Sequence, residues 1–185
     1  MNIVDGWLVG DDSHTVEHCP SPNCNERPEN ADVELLVIHN ISLPPGSFGG
    51  PHIHELFTNT LDPNLHEYFS AIAHLEVSAH ILIRRDGSVT QFVPFHQRAW
   101  HAGVSSWQGS QGCNDFSIGI ELEGTDDMPY EAAQYQRLQD ITKLLLKVYP
   151  KLTAENIAGH CDIAPGRKTD PGPAFQWKEY ISGLS

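Results

Sequence analysis

One seven-residue stretch, ELLVIHN, constrains the fold more than any other. Its four consecutive apolar residues, Leu35 to Ile38, are too few for a buried helix and too continuous for a half-exposed strand. Such a run reads as a strand covered on both faces, which in turn calls for a sheet with other elements packed against each side. The run ends at His39, where the sequence turns into a Gly/Pro/His-rich stretch, SLPPGSFGGPHIH, read as a long loop.

The rest of the chain supplies the partners such a strand needs. FSIGIELEG alternates so that Ile118 and Ile120 share one face and Gly119 and Glu121 the other. SAHILIRRDGSVTQFVP reads as a hairpin, because Asp86-Gly87 is a favoured turn dipeptide between two β-rich runs. RAWHAG and SSWQGSQGCND read as polar loops. A short helix is expected near residues 64–74 and a long one over 130–148. In the long helix Leu138, Ile141, Leu145 and Val148 recur at helical spacing until Pro150 stops it. Pro173 is expected to start a terminal helix carrying Trp177 and Tyr180. No repeat or linker interrupts residues 1–185. The expectation is therefore one α/β domain, a central mixed β-sheet flanked by helices.

Charge narrows the partners. With 24 acidic against 11 basic residues, the formal charge is −13. A chain this acidic repels nucleic-acid backbones and anionic membranes, and no segment reaches the ~20 apolar residues of a membrane span. The opening residues, MNIVDGWLVGDD, lack the basic and apolar regions of a secretory signal, so a cytoplasmic site is expected. In that compartment the four cysteines are expected as free thiols, with Cys113 and Cys161 small and buried. Cys19 and Cys24, with His14 and His18 nearby, offer a loosely spaced alternative: a structural zinc site.

Chemistry concentrates elsewhere. GHCDIAPGRKTDPG holds His160, Lys168 and Asp170 in a stretch too rich in Gly and Pro for regular structure, so loop geometry fixes these side chains. Together with the strand-end His39 they offer two imidazoles and a carboxylate, which leave a tetrahedral Zn²⁺ one open position. Zinc in such a site lowers the pKa of water to about 7. Glu121 is suited to take the water's proton, and Lys168 to stabilise a developing oxyanion. Read singly, each has a plainer role. His39 fits a hydrogen-bonded structural histidine, His160 and Asp170 a loop staple, Glu121 a satisfied buried acid and Lys168 a solvated cation. His101, in WHAG, is the further candidate for lining the site or supporting a ligand.

Taken in order, VIHNISLPPG, VSAHILIRRDG, RAWHAGVS, CNDFSIGIELEGTD and GHCDIAPGRKTDPGPAF resemble the AmpD-type 1,6-anhydro-N-acetylmuramyl-L-alanine amidases. These are zinc amidases related to phage amidase lysozymes and peptidoglycan recognition proteins. The resemblance spans residues 6–175 and implies specific roles. His39, His160 and Asp170 would bind zinc, Glu121 would activate water, and Lys168 would stabilise the oxyanion. It also implies the reaction, hydrolysis of the amide between the lactyl group of anhydro-muramic acid and L-alanine. That is a cytosolic step of cell-wall recycling which tunes β-lactamase induction in some bacteria. The implied partner is a small-molecule muropeptide, and the protein is expected to be a monomer. Arg84, Arg85, Arg98, Arg167 and Lys168 are available to hold substrate carboxylates, Asn40 to hydrogen-bond sugar or peptide, and Trp100 either to face the sugar or to serve as core. Two positions depart from the family, Glu76 and Gly112 standing where arginine is often found, and GGPHIH replaces a tryptophan-bearing loop. The rival function is a binding module that recognises peptidoglycan fragments without cutting them.

Overall fold

The computed structural model describes residues 1–11 and 15–184. Two short strands, β1 (Asn2–Val4) and β2 (Trp7–Val9), form an N-terminal hairpin. After β3 (Val16–His18) and β4 (Cys24–Glu26) comes the apolar run, observed as β5 (Leu35–Ile41). Two helices follow, α1 (His52–Phe57) and α2 (Glu67–Ile72). The hairpin β6 (Ile81–Ile83) and β7 (Val89–Gln91) leads to the short strands β8 (Gln97–Ala99), β9 (Ser106–Trp107) and β10 (Ser110–Gln111). The second long strand is β11 (Ser117–Glu123), and α3 (Ala132–Val148), β12 (Ile157–Gly159), α4 (His160–Ile163) and α5 (Trp177–Ser182) complete the chain.

Six strands form one mixed sheet in the order β12-β5-β11-β6-β7-β3. Neighbours are parallel except at the β6–β7 hairpin, where Gly87 takes a positive φ of 81° and its N–H donates to the Arg84 carbonyl. As the unbroken apolar run requires, Leu35 to Ile38 are fully buried. Leu36, Ile38, Ile118 and Ile120 pack with Leu138, Ile141 and Leu145 of α3 and with Tyr180 of α5. The other face is covered in two parts. Leu82 and Phe92 pack beneath α1 and α2, while Leu35, Val37 and Ala158 pack beneath α4.

Several expectations need correction. The SLPPGSFGGPHIH stretch is not all loop, because its last three residues begin α1, HIHELF, which buries Ile53, Leu56 and Phe57. RAWHAG begins as strand β8, paired with β4, so Cys24 sits in a sheet opposite Ala99. Val148 does not complete the buried stripe of α3; it is exposed, and Tyr135 and Gln134 are buried instead. The last helix starts at Trp177, with Pro173 in the turn before it. Cys161 is half-buried while Cys113 is fully buried, and all four cysteines are free.

Candidate active site

Three parallel strands end side by side, and their C-terminal edge is where open α/β sheets place ligands. Register alone assembles most of the cluster. His39 on β5 pairs with Glu121 on β11, so the two stand next to each other on the same face. Gly159 on β12 pairs with Ile38, so His160, the first residue of α4, emerges beside His39. The Pro/Gly loop then returns, and the Cys161 N–H donates to the Asp170 carbonyl at 2.9 Å, tying Asp170 back to the start of α4.

The result is a triangle of three ligand atoms. His39 Nδ1 lies 3.0 Å from His160 Nδ1 and 3.1 Å from Asp170 Oδ2, and His160 Nδ1 lies 3.0 Å from Asp170 Oδ2. Among the described residues these three form the single cluster of metal-binding type. In a tetrahedral zinc shell with bonds of about 2.0–2.1 Å, ligand atoms sit about 3.3 Å apart, close to the observed edges. The donor chemistry agrees. Two imidazole lone pairs and a carboxylate oxygen this close repel one another unless a proton or a cation sits among them.

Electrostatics puts His39 and Asp170 in the forms a metal would require. Burial lowers the His39 pKa to about 4 against the help of Asp170, so its ring is neutral at pH 7. Burial works to raise the Asp170 pKa, yet its contacts with the His160 and His39 rings outweigh it and hold the carboxyl below the usual range. Glu121 behaves in the opposite way. Burial, then the nearby Asp170 charge, push its pKa well above 4.5, with Lys168 opposing. Its Oε2 is buried and has no protein hydrogen-bond partner. A buried acid with one oxygen uncommitted, beside a metal-shaped cluster, is poised for proton transfer.

The cluster opens into a cleft of about 670 Å³. One wall is apolar, built from Leu43, Phe57 and Ile72; Trp100 and Lys168 also line it. Asn40 lines it too, with its amide donating to Asp126 Oδ1 at 2.8 Å and to the Pro171 carbonyl at 3.2 Å. Trp100 sits at the rim rather than in the core, and its indole N–H donates to Asn25 at 2.9 Å.

Against this geometry the comparisons with known proteins are decisive. Residues 29–173 match the family model described as N-acetylmuramoyl-L-alanine amidase. The chain is 59% identical over 180 residues to the 1,6-anhydro-N-acetylmuramyl-L-alanine amidase AmpD of Escherichia coli K12, covering 97% of this chain and 95% of that protein. This chain belongs to the N-acetylmuramoyl-L-alanine amidase family. A crystal structure of a selenomethionine AmpD derivative superposes with a TM-score of 0.95 at 57% identity over the whole of both chains. The amidase AmiD of E. coli, solved with anhydro-N-acetylmuramic acid-L-Ala-D-γ-Glu-L-Lys, superposes with a TM-score of 0.60 at 30% identity, over 85% of this chain and 60% of that one.

Within the amidase, His39, Asn40, Trp100, His101, Glu121, His160, Lys168 and Asp170 all border one cleft. The arginines do not. Arg84 pairs with buried Glu123 at 3.0 Å and also reaches the Gly50 carbonyl and His54, away from the cleft. Arg85 pairs with Glu131 and Arg98 with Asp115, while Arg167 donates to the carbonyls of Ala102 and Val104. Among the described residues, Lys168 is thus the lysine or arginine that lines the cleft. We expect Arg84→Ala to leave KM unchanged while destabilising the fold by about 3 kcal/mol, because the buried Glu123 carboxylate loses its cation and keeps only the Gly49 and Arg85 backbone N–H groups. Steady-state kinetics beside denaturant unfolding check both parts.

Sequence reasoning passed over Asp126, which holds Asn40 in place, and the apolar wall. The signal for Asp126 was its position three residues after the end of β11, at the same sheet edge. The cysteine alternative finds no support among the described residues. Cys24 Sγ donates to the Ser21 carbonyl, burial raises the pKa of the Cys19 and Cys24 thiols, and His14 lies outside the described residues.

Proposed function

We propose that the amidase hydrolyses the amide between the lactyl group of 1,6-anhydro-N-acetylmuramic acid and L-alanine of muropeptides, with a zinc ion held by His39, His160 and Asp170. The triangle of ligand atoms with 3.0–3.1 Å edges, with Glu121 beside it in register, carries this reading. Zinc there supplies Lewis-acid chemistry and acidifies water near neutral pH. The chain's own groups do the rest. Glu121 takes the proton from the attacking water as the new carbon–oxygen bond forms at the lactyl carbonyl carbon. As the carbon–nitrogen bond breaks, the same carboxyl returns that proton to the departing L-alanine nitrogen. The products are the free lactyl carboxylic acid and a peptide with a free amine. A general base whose pKa is raised by burial is better matched to this work than an ordinary glutamate.

Lys168 stabilises the charge that develops on the carbonyl oxygen. Its position two residues before Asp170 fixes it relative to the ligand cluster. We expect Lys168→Ala to lower kcat by about 10²–10³ while leaving zinc content unchanged, measured by metal analysis beside single-substrate kinetics. A cytosolic role in muropeptide recycling belongs to the same proposal.

Digestion of an anhydro-muramyl tripeptide, and of the matching ordinary muramyl tripeptide, tests the assignment by mass spectrometry. Chelator-sensitive release of tripeptide from the anhydro form is the expected result. Binding without release from either sugar would make the protein a recognition module instead.

A further inference from the structure

Each histidine of the ligand triangle has a second ring nitrogen, and both point to one short segment. His39 Nε2 lies 2.9 Å from His101 Nδ1, and His160 Nε2 lies 3.2 Å from the Ala102 carbonyl oxygen. His101 and Ala102 are consecutive. Their backbone N–H groups both donate to one atom, Asn114 Oδ1, at 3.1 and 2.8 Å. The Ala102 carbonyl is held from outside as well, by the Arg167 guanidinium at 2.6 Å. The far nitrogen of His101, Nε2, lies 3.1 Å from Ser117 Oγ.

The seat of this imidazole is cut into the sheet. Gly119 is the one residue on its face of β11 between Ser117 and Glu121, and a Cβ there would stand 2.5 Å from His101 Cγ and 2.6 Å from Nδ1. The glycine of IGIE therefore gives the His101 ring its place directly behind His39. From there the ring meets His39 at 87°, edge on, with centroids 5.0 Å apart.

We propose that the His101–Ala102 segment, clamped by Asn114, sets the tautomer of both zinc-binding histidines, with His101 the positioning residue for His39. The inference rests on the reading of His39 and His160 as zinc ligands. Its logic is that a neutral imidazole carries one N–H. Ligation through Nδ1 requires the proton on Nε2. For His160 that proton goes to the Ala102 carbonyl, which only accepts. For His39 it goes to His101 Nδ1, which must then be bare, so the His101 proton is on Nε2 and donates to Ser117 Oγ. The reverse chain, running from the Ser117 hydroxyl through His101 to His39, would place a proton on His39 Nδ1 and block the metal.

His101→Phe keeps a ring over Gly119 and removes the acceptor, whereas His101→Asn places an amide oxygen near the former Nδ1. Zinc affinity is read by competition with a chromophoric chelator. The His39 Nε2 proton is read by NMR of the zinc-loaded protein. His101→Phe is expected to bind zinc about 10–100-fold more weakly and to lose the exchange-protected Nε2 proton resonance, and His101→Asn to recover most of both. Zinc affinity in His101→Phe within about twofold of the parent, with that resonance intact, would overturn the proposal. Should His101→Phe fail to fold, Ser117→Ala carries the test, with weaker zinc binding expected and unchanged binding and resonance overturning it. A parent protein that does not bind zinc would instead sink the ligand assignment.

Discussion

Glu121→Gln is expected to lose turnover while its zinc content stays that of the parent. The expected loss in kcat is about 10²–10⁴, the contribution of a positioned general base, because glutamine can accept a hydrogen bond but cannot hold the proton in transit. Glutamine matches the shape of glutamate, and the ligand triangle does not include Glu121, so metal analysis should return the parent's stoichiometry. The same substitution has an opposite effect on stability. In the metal-free protein, burial and the Asp170 charge raise the Glu121 pKa well above 4.5. The folded state therefore holds this proton to a higher pH than the unfolded state does. Between the two pKa values the unfolded chain binds fewer protons, so stability falls as pH rises through that window. Glutamine removes the penalty. Metal-free Glu121→Gln is expected to melt above the metal-free parent at pH 7, and the gap to close as pH falls below 4.5, where both states are protonated. Melting curves across pH measure this directly.

His160→Ala has the larger effect on activity, because it removes a corner of the triangle. His39 Nδ1 and Asp170 Oδ2 remain 3.1 Å apart, but two ligands do not make a zinc site. Zinc content should fall from one per chain to none. Turnover should drop by more than the ~10²–10⁴ that a positioned general base contributes. If metal were held by Cys19 and Cys24, the same variant would keep its zinc, so elemental analysis of His160→Ala separates the two sites in one step.

The readability of this site in the sequence follows from what each residue interacts with. Leu35 to Ile38 and Ile118 to Ile120 read as strands because burial on both faces leaves a continuous or tightly alternating apolar pattern. His39 and Glu121 stand in register on those two strands, so placing the strands placed the residues. Asp170 and Lys168 were legible because a Gly/Pro frame leaves side chains nowhere to hide in regular structure. The arginines were not. Arg84 finds Glu123 at a separation of 39 residues and Arg85 finds Glu131 at 46, and no local pattern announces a pairing that the fold alone creates. Helix α1 was masked for a different reason. HIHELF follows GSFGGP, whose glycines and proline signal a turn just where the helix begins. The outer partners of the histidines were also hidden, since one of them is a backbone carbonyl, which any residue could have supplied.

Removal of the metal and its stepwise return tests whether one zinc centre carries the activity. Protein stripped with chelator would be titrated with zinc while tripeptide release from an anhydro-muramyl tripeptide is followed at each addition. No release is expected from the stripped protein, followed by a linear recovery that breaks sharply at one zinc per chain. Release that persists in stripped protein, or a recovery that breaks at any other ratio, would contradict a single zinc centre built from His39, His160 and Asp170.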